Sequence, residues 1–194
     1  MNKNRLEAFS DGVIAIIITI MVLSMQRPRG ATLAALKPVL PALLSYTLSF
    51  VYVGIYWNNH HHLLSSVTKI DGRVLWPNLL LLFWLSLVPF ATDWMGESHF
   101  APVPLAVYGV VLCLAALSFL ILQHQLIVVN GACSPLARAV ARSWKGRLSL
   151  VGYTLAIVAS FWHGWAAEAM YVAVALGWLV PDRRIERALA NPFD

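Results

Sequence analysis

The chain has 194 residues, of which 59% are hydrophobic and 12% charged, with a mean hydropathy of +0.70; a soluble domain carries roughly a quarter charged residues. That excess of apolar surface excludes a water-soluble globule and requires lipid. The net charge of +5 and the pI near 9.5 do not call for a nucleic-acid partner, because Lys and Arg accumulate in cytoplasmic loops as a consequence of helix insertion.

Charges fall in short clusters between long apolar runs, and strand-length alternation is absent. The fold class is therefore an all-α integral membrane protein, one domain over residues 1–194, with six transmembrane helices. The N-terminus does not read as a cleavable signal, since Glu7 and Asp11 interrupt its start and no small-residue cleavage pattern follows. The first span is predicted over about residues 6–25, close to the roughly 20 residues a helix needs to cross hydrocarbon, and Gln26 to Gly30 end it.

A second span over about residues 38–64 has Pro38 and Pro41 near its start, where a missing N–H is tolerated, and polar Asn58 to His62 near its end. Lys69 to Arg73 form the next polar loop. The third span, about residues 74–94, carries Trp76 and Trp94 near its ends, where indoles favour the membrane interface. Pro102 and Pro104 open a long fourth span, about 103–129, which must tilt or project past the bilayer and which Asn130-Gly131 terminates. After a basic connection that is itself partly helical come a fifth span, about 148–162, and a sixth, about 165–180; one tight helical hairpin is the alternative for this last pair. Cys113 and Cys133 are too few for a disulfide framework.

Orientation follows from the 14 Lys and Arg residues. With the N-terminus inside, Lys3, Arg5, Lys69, Arg73, Arg138, Arg142, Lys145, Arg147, Arg183, Arg184 and Arg187 are cytoplasmic, and Arg27, Arg29 and Lys37 are outside. Both termini are then cytoplasmic and the protein resides in the plasma membrane.

The unusual segment is Arg5-Leu6-Glu7-Ala8-Phe9-Ser10-Asp11-Gly12, which puts a cation, two acids and a hydroxyl at the start of a membrane helix. Arg5 can snorkel to the interface, whereas Asp11 lies about one and a half turns inside and needs solvation, a partner or a proton. At about 100° per residue, Ile16, Ile20 and Leu23 share a narrow stripe flanked by Gly12, Val13 and Thr19, while Ser10 and Asp11 point elsewhere. One face thus presents branched apolar groups, which ordinary helix packing would also explain, and another holds a polar knot.

Other chemistry finds less support. His60-His61-His62 cannot converge on one metal from consecutive helix positions about 100° apart, and no metal or cofactor is expected. His99, His124 and His163 lie near membrane boundaries and take no catalytic role. Ser10 with His61 lacks the context of a hydrolase site, so an enzyme is not expected. A proton-coupled secondary transporter using Asp11 or Glu168 is the alternative function, although internal repeats and broken helices are not evident. A purely structural membrane protein is a third reading.

Arg-x-x-x-Phe-Ser-Asp at residues 5–11, followed directly by an apolar helix, resembles the signature of the TMEM175 family of potassium channels. Six spans in about 200 residues match a single prokaryotic repeat of that family, and His60 to His62 ending the second span and Pro77-Asn78-Leu79 beginning the third add to the likeness. The resemblance implies a homotetramer in membrane lipid with the first helix of each subunit lining a central pore and potassium as the permeant ion. It puts Ile16 at a hydrophobic constriction, Ile20 and Leu23 on the pore face beyond it, and Thr19 at the position contributing to cation preference. Arg5, Phe9, Ser10 and Asp11 are then a structural motif fixing the pore helix against the second and third spans, with His61 and Asn78 as expected partners. The chain lacks the Thr-Val-Gly-Tyr-Gly loop of carbonyl filters, so selectivity must arise from side chains.

Overall fold

A computed structural model describes residues 2–141 and 144–179. The described residues form helices α1 (Lys3–Ser24), α2 (Leu40–Ser65), α3 (Gly72–Ser86), α4 (Val88–Glu97), α5 (Pro102–Asn130), α6 (Pro135–Ala141), α7 (Lys145–Ala159) and α8 (Gly164–Leu179), with a 3-10 helix over Leu33–Val39 before α2. The regular structure of the described residues is all-helical, and four stretches among them are long and apolar enough to cross a membrane: Lys3–Ser24, Leu33–Ser65, Gly72–Glu97 and Pro102–Asn130. The last two helices are shorter, 15 and 16 residues. Arg142 and everything from Val180 onward, including Arg183, Arg184 and Arg187, lie outside the described residues.

Local chemistry explains where the helices begin and end. Asn2 caps α1 by accepting from the Asn4 N–H at 3.0 Å, and Asp71 caps α3 by accepting from the Arg73 N–H at 2.9 Å. Helix α4 stops in a Schellman arrangement: the Phe100 N–H reaches Met95 O at 3.0 Å and the His99 N–H reaches Gly96 O at 3.2 Å, with His99 at φ 52°. Asn130 closes α5 and clamps the loop after α2, accepting from the Thr68 and Lys69 N–H groups and donating to Lys69 O; Gly131 follows at φ 96°, a conformation that favours glycine.

The third span is broken, contrary to the expectation that helices here are continuous. Pro89 has no N–H to offer Leu85 O, and its ring crowds that carbonyl. The chain closes α3 instead through the Leu87 N–H to Trp84 O at 3.2 Å, and α4 resumes with Ala91 N–H to Leu87 O at 3.1 Å.

In lipid, helices associate through close packing and interhelical hydrogen bonds rather than hydrophobic transfer. The bundle core is accordingly a hydroxyl cluster set in hydrocarbon. Tyr52, Tyr108, Tyr153 and Tyr171 are almost wholly buried. Tyr52 donates to Tyr171 O at 2.6 Å, Tyr171 to Leu105 O at 3.1 Å, Ser49 to Tyr108 Oη at 3.0 Å and Thr92 to Ser49 Oγ at 2.7 Å, tying α2, α4, α5 and α8 together. Gly109 makes this possible: a Cβ there would overlap the Tyr171 hydroxyl and lie 2.7 Å from Ile157 Cγ1. Gly109→Ala is expected to lower thermal stability in detergent by about 1–3 kcal/mol, the usual range for overpacking, and an unchanged unfolding temperature would show that the α5/α8 contact is slack.

Candidate functional site

Helix α1 lies against α2, α3 and α4 and divides into two faces. Leu6, Ser10, Ile14, Ile17 and Met21 are buried, at the three- and four-residue spacing of one helix side. On the other side Phe9 is 53% exposed, Ile16 59%, Ile20 46% and Leu23 80%. Branched apolar groups thus stand clear of their own subunit while equally apolar neighbours, Ile14 and Ile17, are packed inside it.

Thr19 is exposed beside them, and its hydroxyl donates to Ile16 O at 2.8 Å. That bond fixes the hydroxyl proton inward and leaves the oxygen lone pairs directed away from the helix. Behind the stripe, a groove of about 510 Å³ runs along the α3/α4 break, lined by Val13, Ile16, Ile20, Ser86, Pro89 and Phe90 among others. At the far end of α1, Gln26 Nε2 donates to Glu97 Oε1 at 2.6 Å, joining the exit from α1 to the end of α4.

The polar start of α1 is organised on its opposite face. Asn78, fully buried on α3, donates from Nδ2 to Ser10 Oγ at 3.0 Å, and its Oδ1 lies 2.7 Å from His60 Nε2. With the amide oxygen as acceptor, the imidazole carries its proton on Nε2. One side chain therefore joins α1, α2 and α3. Asp11, partly buried, accepts from Trp57 Nε1 at 3.0 Å, so the intramembrane carboxylate meets an indole donor on α2.

Three members of the expected motif network, Phe9, His61 and Arg5, stand differently from the sequence expectation. Phe9, expected to help fix α1 against α2 and α3, is on the exposed side with Ile16 and Ile20, because position 9 is rotated by about 100° from buried Ser10. The histidine in the knot is His60, not His61; His61 is exposed and stacks on Trp57 with ring centroids 6.1 Å apart. The reason is register, since His60 falls in line with buried Tyr52, Val53 and Tyr56 on the inward side of α2, whereas position 61 is rotated by about 100°. Arg5 is exposed on the single chain, and it is Lys3 that pairs with Glu7, at 3.7 Å. Trp57 was not anticipated; it stands one helical turn before His61 and four residues after Val53. Glu168 is partly buried in the first turns of α8, away from this site, and no group of three or more His, Cys, Asp or Glu able to hold a metal occurs among the described residues.

Comparison with known proteins gives the family. Residues 5–89, the segment that contains α1, the knot and the helix break, match the family described as endosomal/lysosomal potassium channel TMEM175. A potassium channel from Chryseobacterium sp. (strain P1-3) is 52% identical over 189 residues, covering 97% of this chain and 98% of its own. One from Streptomyces collinus is 35% identical over 173 residues, covering 83% and 84%. The crystal structure of a lysosomal potassium-selective channel TMEM175 homologue from Chamaesiphon minutus superposes with a TM-score of 0.81 at 28% identity, over 92% of this chain and 96% of that one. With likeness of sequence and of fold along nearly its whole length, the chain belongs to the TMEM175 family of potassium channels.

Proposed function

We propose that copies of this chain assemble, four to a ring, into a potassium channel whose pore is lined by α1. The observation that carries this reading is the exposed stripe of Phe9, Ile16, Ile20 and Leu23 on a helix whose other side is fully packed. Its family and relatives are channels, not enzymes, and potassium is the permeant species rather than a bound cofactor.

Ile16 forms the constriction, with Ile20 and Leu23 continuing the apolar wall. A ring of such side chains closes a pore by excluding water, with no plug needed. Opening requires the ring to widen, and the groove behind Ile16 and Ile20 supplies space for that movement. Potassium sheds water more readily than sodium, so an apolar neck penalises sodium more, and Thr19 oxygens replace part of the lost hydration shell. The knot of Ser10, Asn78 and His60, with Asp11 on Trp57, holds the inner end of α1 while its outer face moves.

We further infer that α7 and α8 complete six crossings. At about 1.5 Å per residue each spans less than the roughly 30 Å of hydrocarbon, so they form the thin end of the bundle. The uneven division of basic residues supports a cytoplasmic N-terminus, and the membrane we assign is the plasma membrane. The broken third span is a feature that carriers also use, but α1 is continuous and the relatives are named as channels.

The test is the potassium-against-sodium reversal potential of the reconstituted protein. Single-channel steps with a reversal potential set by potassium are expected, and coupled flux without steps would replace the channel reading with a carrier. Thr19→Val, which keeps the shape and removes the oxygen, is expected to shift the reversal potential toward that of a non-selective pore; an unaltered value would take Thr19 out of selection.

A further inference from the structure

The groove of about 510 Å³ between α1 and the α3/α4 break is large enough for a small organic molecule. Its polarity is sorted along its length. Ser10 meets Asn78 where α1 and α3 begin, and Gln26 meets Glu97 where α1 and α4 end, so α1 runs in the same sense as α3 and α4. Ser24 and Asp93 therefore lie toward the Gln26–Glu97 end, and Ile16, Ile20, Pro89 and Phe90 belong to the apolar body. From Val13 to Ser24 the groove follows α1 for roughly 16 Å, at about 1.5 Å per residue.

The polar side chains of this lining accept hydrogen bonds and offer none. Ser24 donates to Met21 O at 3.0 Å and Ser86 to Phe83 O at 2.7 Å, which spends both hydroxyl protons on their own helices and leaves the oxygens as acceptors. Asp93 is partly buried and makes no hydrogen bond or ion pair among the described residues. Its surroundings add negative charge, since Glu97 follows one turn later and α4 directs the negative end of its dipole this way. Arg27 and Arg29 stand exposed in the loop after α1 and pair with neither acid. A carboxylate at the end of an apolar groove is costly without a cation. A ligand with a charged N–H donor at one end and hydrocarbon along the rest satisfies both parts of the groove, whereas an alcohol or an acid of the same length does not.

We propose that this groove binds a primary ammonium carried on an apolar body, with the nitrogen at Asp93 and the hydrocarbon against Ile16, Ile20 and Phe90, and that the bound molecule holds the channel shut. The second half rests on the channel reading, because an occupant takes the space into which Ile16 and Ile20 withdraw when the ring widens. The binding half does not.

The experiment uses the full-length protein with 3-phenylpropylamine as the probe and 3-phenylpropan-1-ol as its uncharged counterpart. Binding is read as a rise of the unfolding temperature in detergent, and block as the loss of potassium current in a planar bilayer. The amine is expected to do both over the same concentration range, and the alcohol neither. Asp93→Asn is expected to raise the half-saturating concentration of the amine by roughly tenfold or more, as the loss of a charge-assisted hydrogen bond does. Glu97→Gln, the same change of charge one turn further on and outside the lining, should shift it much less. Ser86→Phe, which fills the groove and keeps Asp93, should remove binding.

Equal effects of amine and alcohol would overturn the proposal. So would an equal loss in Asp93→Asn and Glu97→Gln, which would reduce the effect to diffuse charge, or undiminished binding to the Ser86→Phe protein, which would put the amine elsewhere. Binding without loss of current would overturn the second half alone, and Asp93-dependent binding to a protein that passes no current would uphold the site where the channel reading has failed.

Discussion

Ile16→Asn is expected to turn a channel that is shut at rest into one that leaks. Ile16 is 59% exposed on the single chain, while its neighbour Ile17 is 3% exposed and packed in the core, so the substitution changes the presented face without opening a cavity behind it. A closed hydrophobic ring works because water columns are unstable between apolar walls. Four amide side chains would stabilise that water, and a gain of only about 1.4 kcal/mol for the wetted state is a tenfold change in its population. Resting current in a planar bilayer should therefore rise by roughly tenfold or more. Ile20→Asn and Leu23→Asn, further along the same stripe, should have smaller effects if the narrowest ring is at Ile16. Ile17→Asn is the counter-test, since burying an amide in the packed face should reduce assembled protein and not produce a leak. A resting current unaltered by Ile16→Asn would remove that residue from the gate.

The two faces of α1 show how far a membrane sequence can be read. Ile14, Ile16, Ile17 and Ile20 have the same composition, because lipid does not force polar residues onto the outer face of a helix; hydrophobicity cannot tell which of them pack. Only the polar residues break this degeneracy. Ser10, buried in the knot, fixes the inward side, and the stripe one rotation away then falls on the exposed side, as the helical wheel of the sequence indicated. Asn78 was reached by another route, through the family resemblance that singled out Pro77-Asn78-Leu79 at the start of the third span, and not from spacing or composition.

What remained hidden depends on contacts that no spacing encodes. The histidine run offers three candidates, and choosing His60 over His61 requires the register that Tyr52 and Tyr56 set on α2. The break at Leu87 follows from Pro89, whose effect inside a membrane helix depends on whether neighbours re-satisfy the freed carbonyl. The hydroxyl cluster of Tyr52, Tyr108, Tyr153 and Tyr171 comes from four different helices, and nothing local marks those tyrosines as facing each other. Long α1, α2 and α5 announce themselves by length; α7 and α8 were also placed as helices to within a few residues, but being shorter than a span ordinarily requires they left open whether the pair crosses the bilayer or forms a tight hairpin.

The other large effect is expected at Asn78. Asn78→Ala would leave two groups without their partner in a fully buried place: the His60 Nε2–H, now 2.7 Å from Asn78 Oδ1, and Ser10 Oγ, now 3.0 Å from Asn78 Nδ2. Removing one partner from a buried hydrogen bond costs about 1–3 kcal/mol for each stranded group, although hydrogen bonds between membrane helices average only about 0.6 kcal/mol because the separated helices find other partners. Two stranded groups at once place the expected loss near 2 kcal/mol, enough to lower the unfolding temperature in detergent and the yield of assembled protein. Ser10→Ala alone should do less, since His60 keeps its acceptor. Ser10→Ala/His60→Phe/Asn78→Leu, which removes every polar member together, should recover much of the lost stability, because apolar replacement of both partners is nearly neutral. That recovery separates a knot that holds three helices by mutual satisfaction from a site where bulk alone matters. If Asn78→Ala unfolds at the wild-type temperature and assembles normally, the junction between α1, α2 and α3 is held by packing, and the polar motif at the start of α1 needs another purpose.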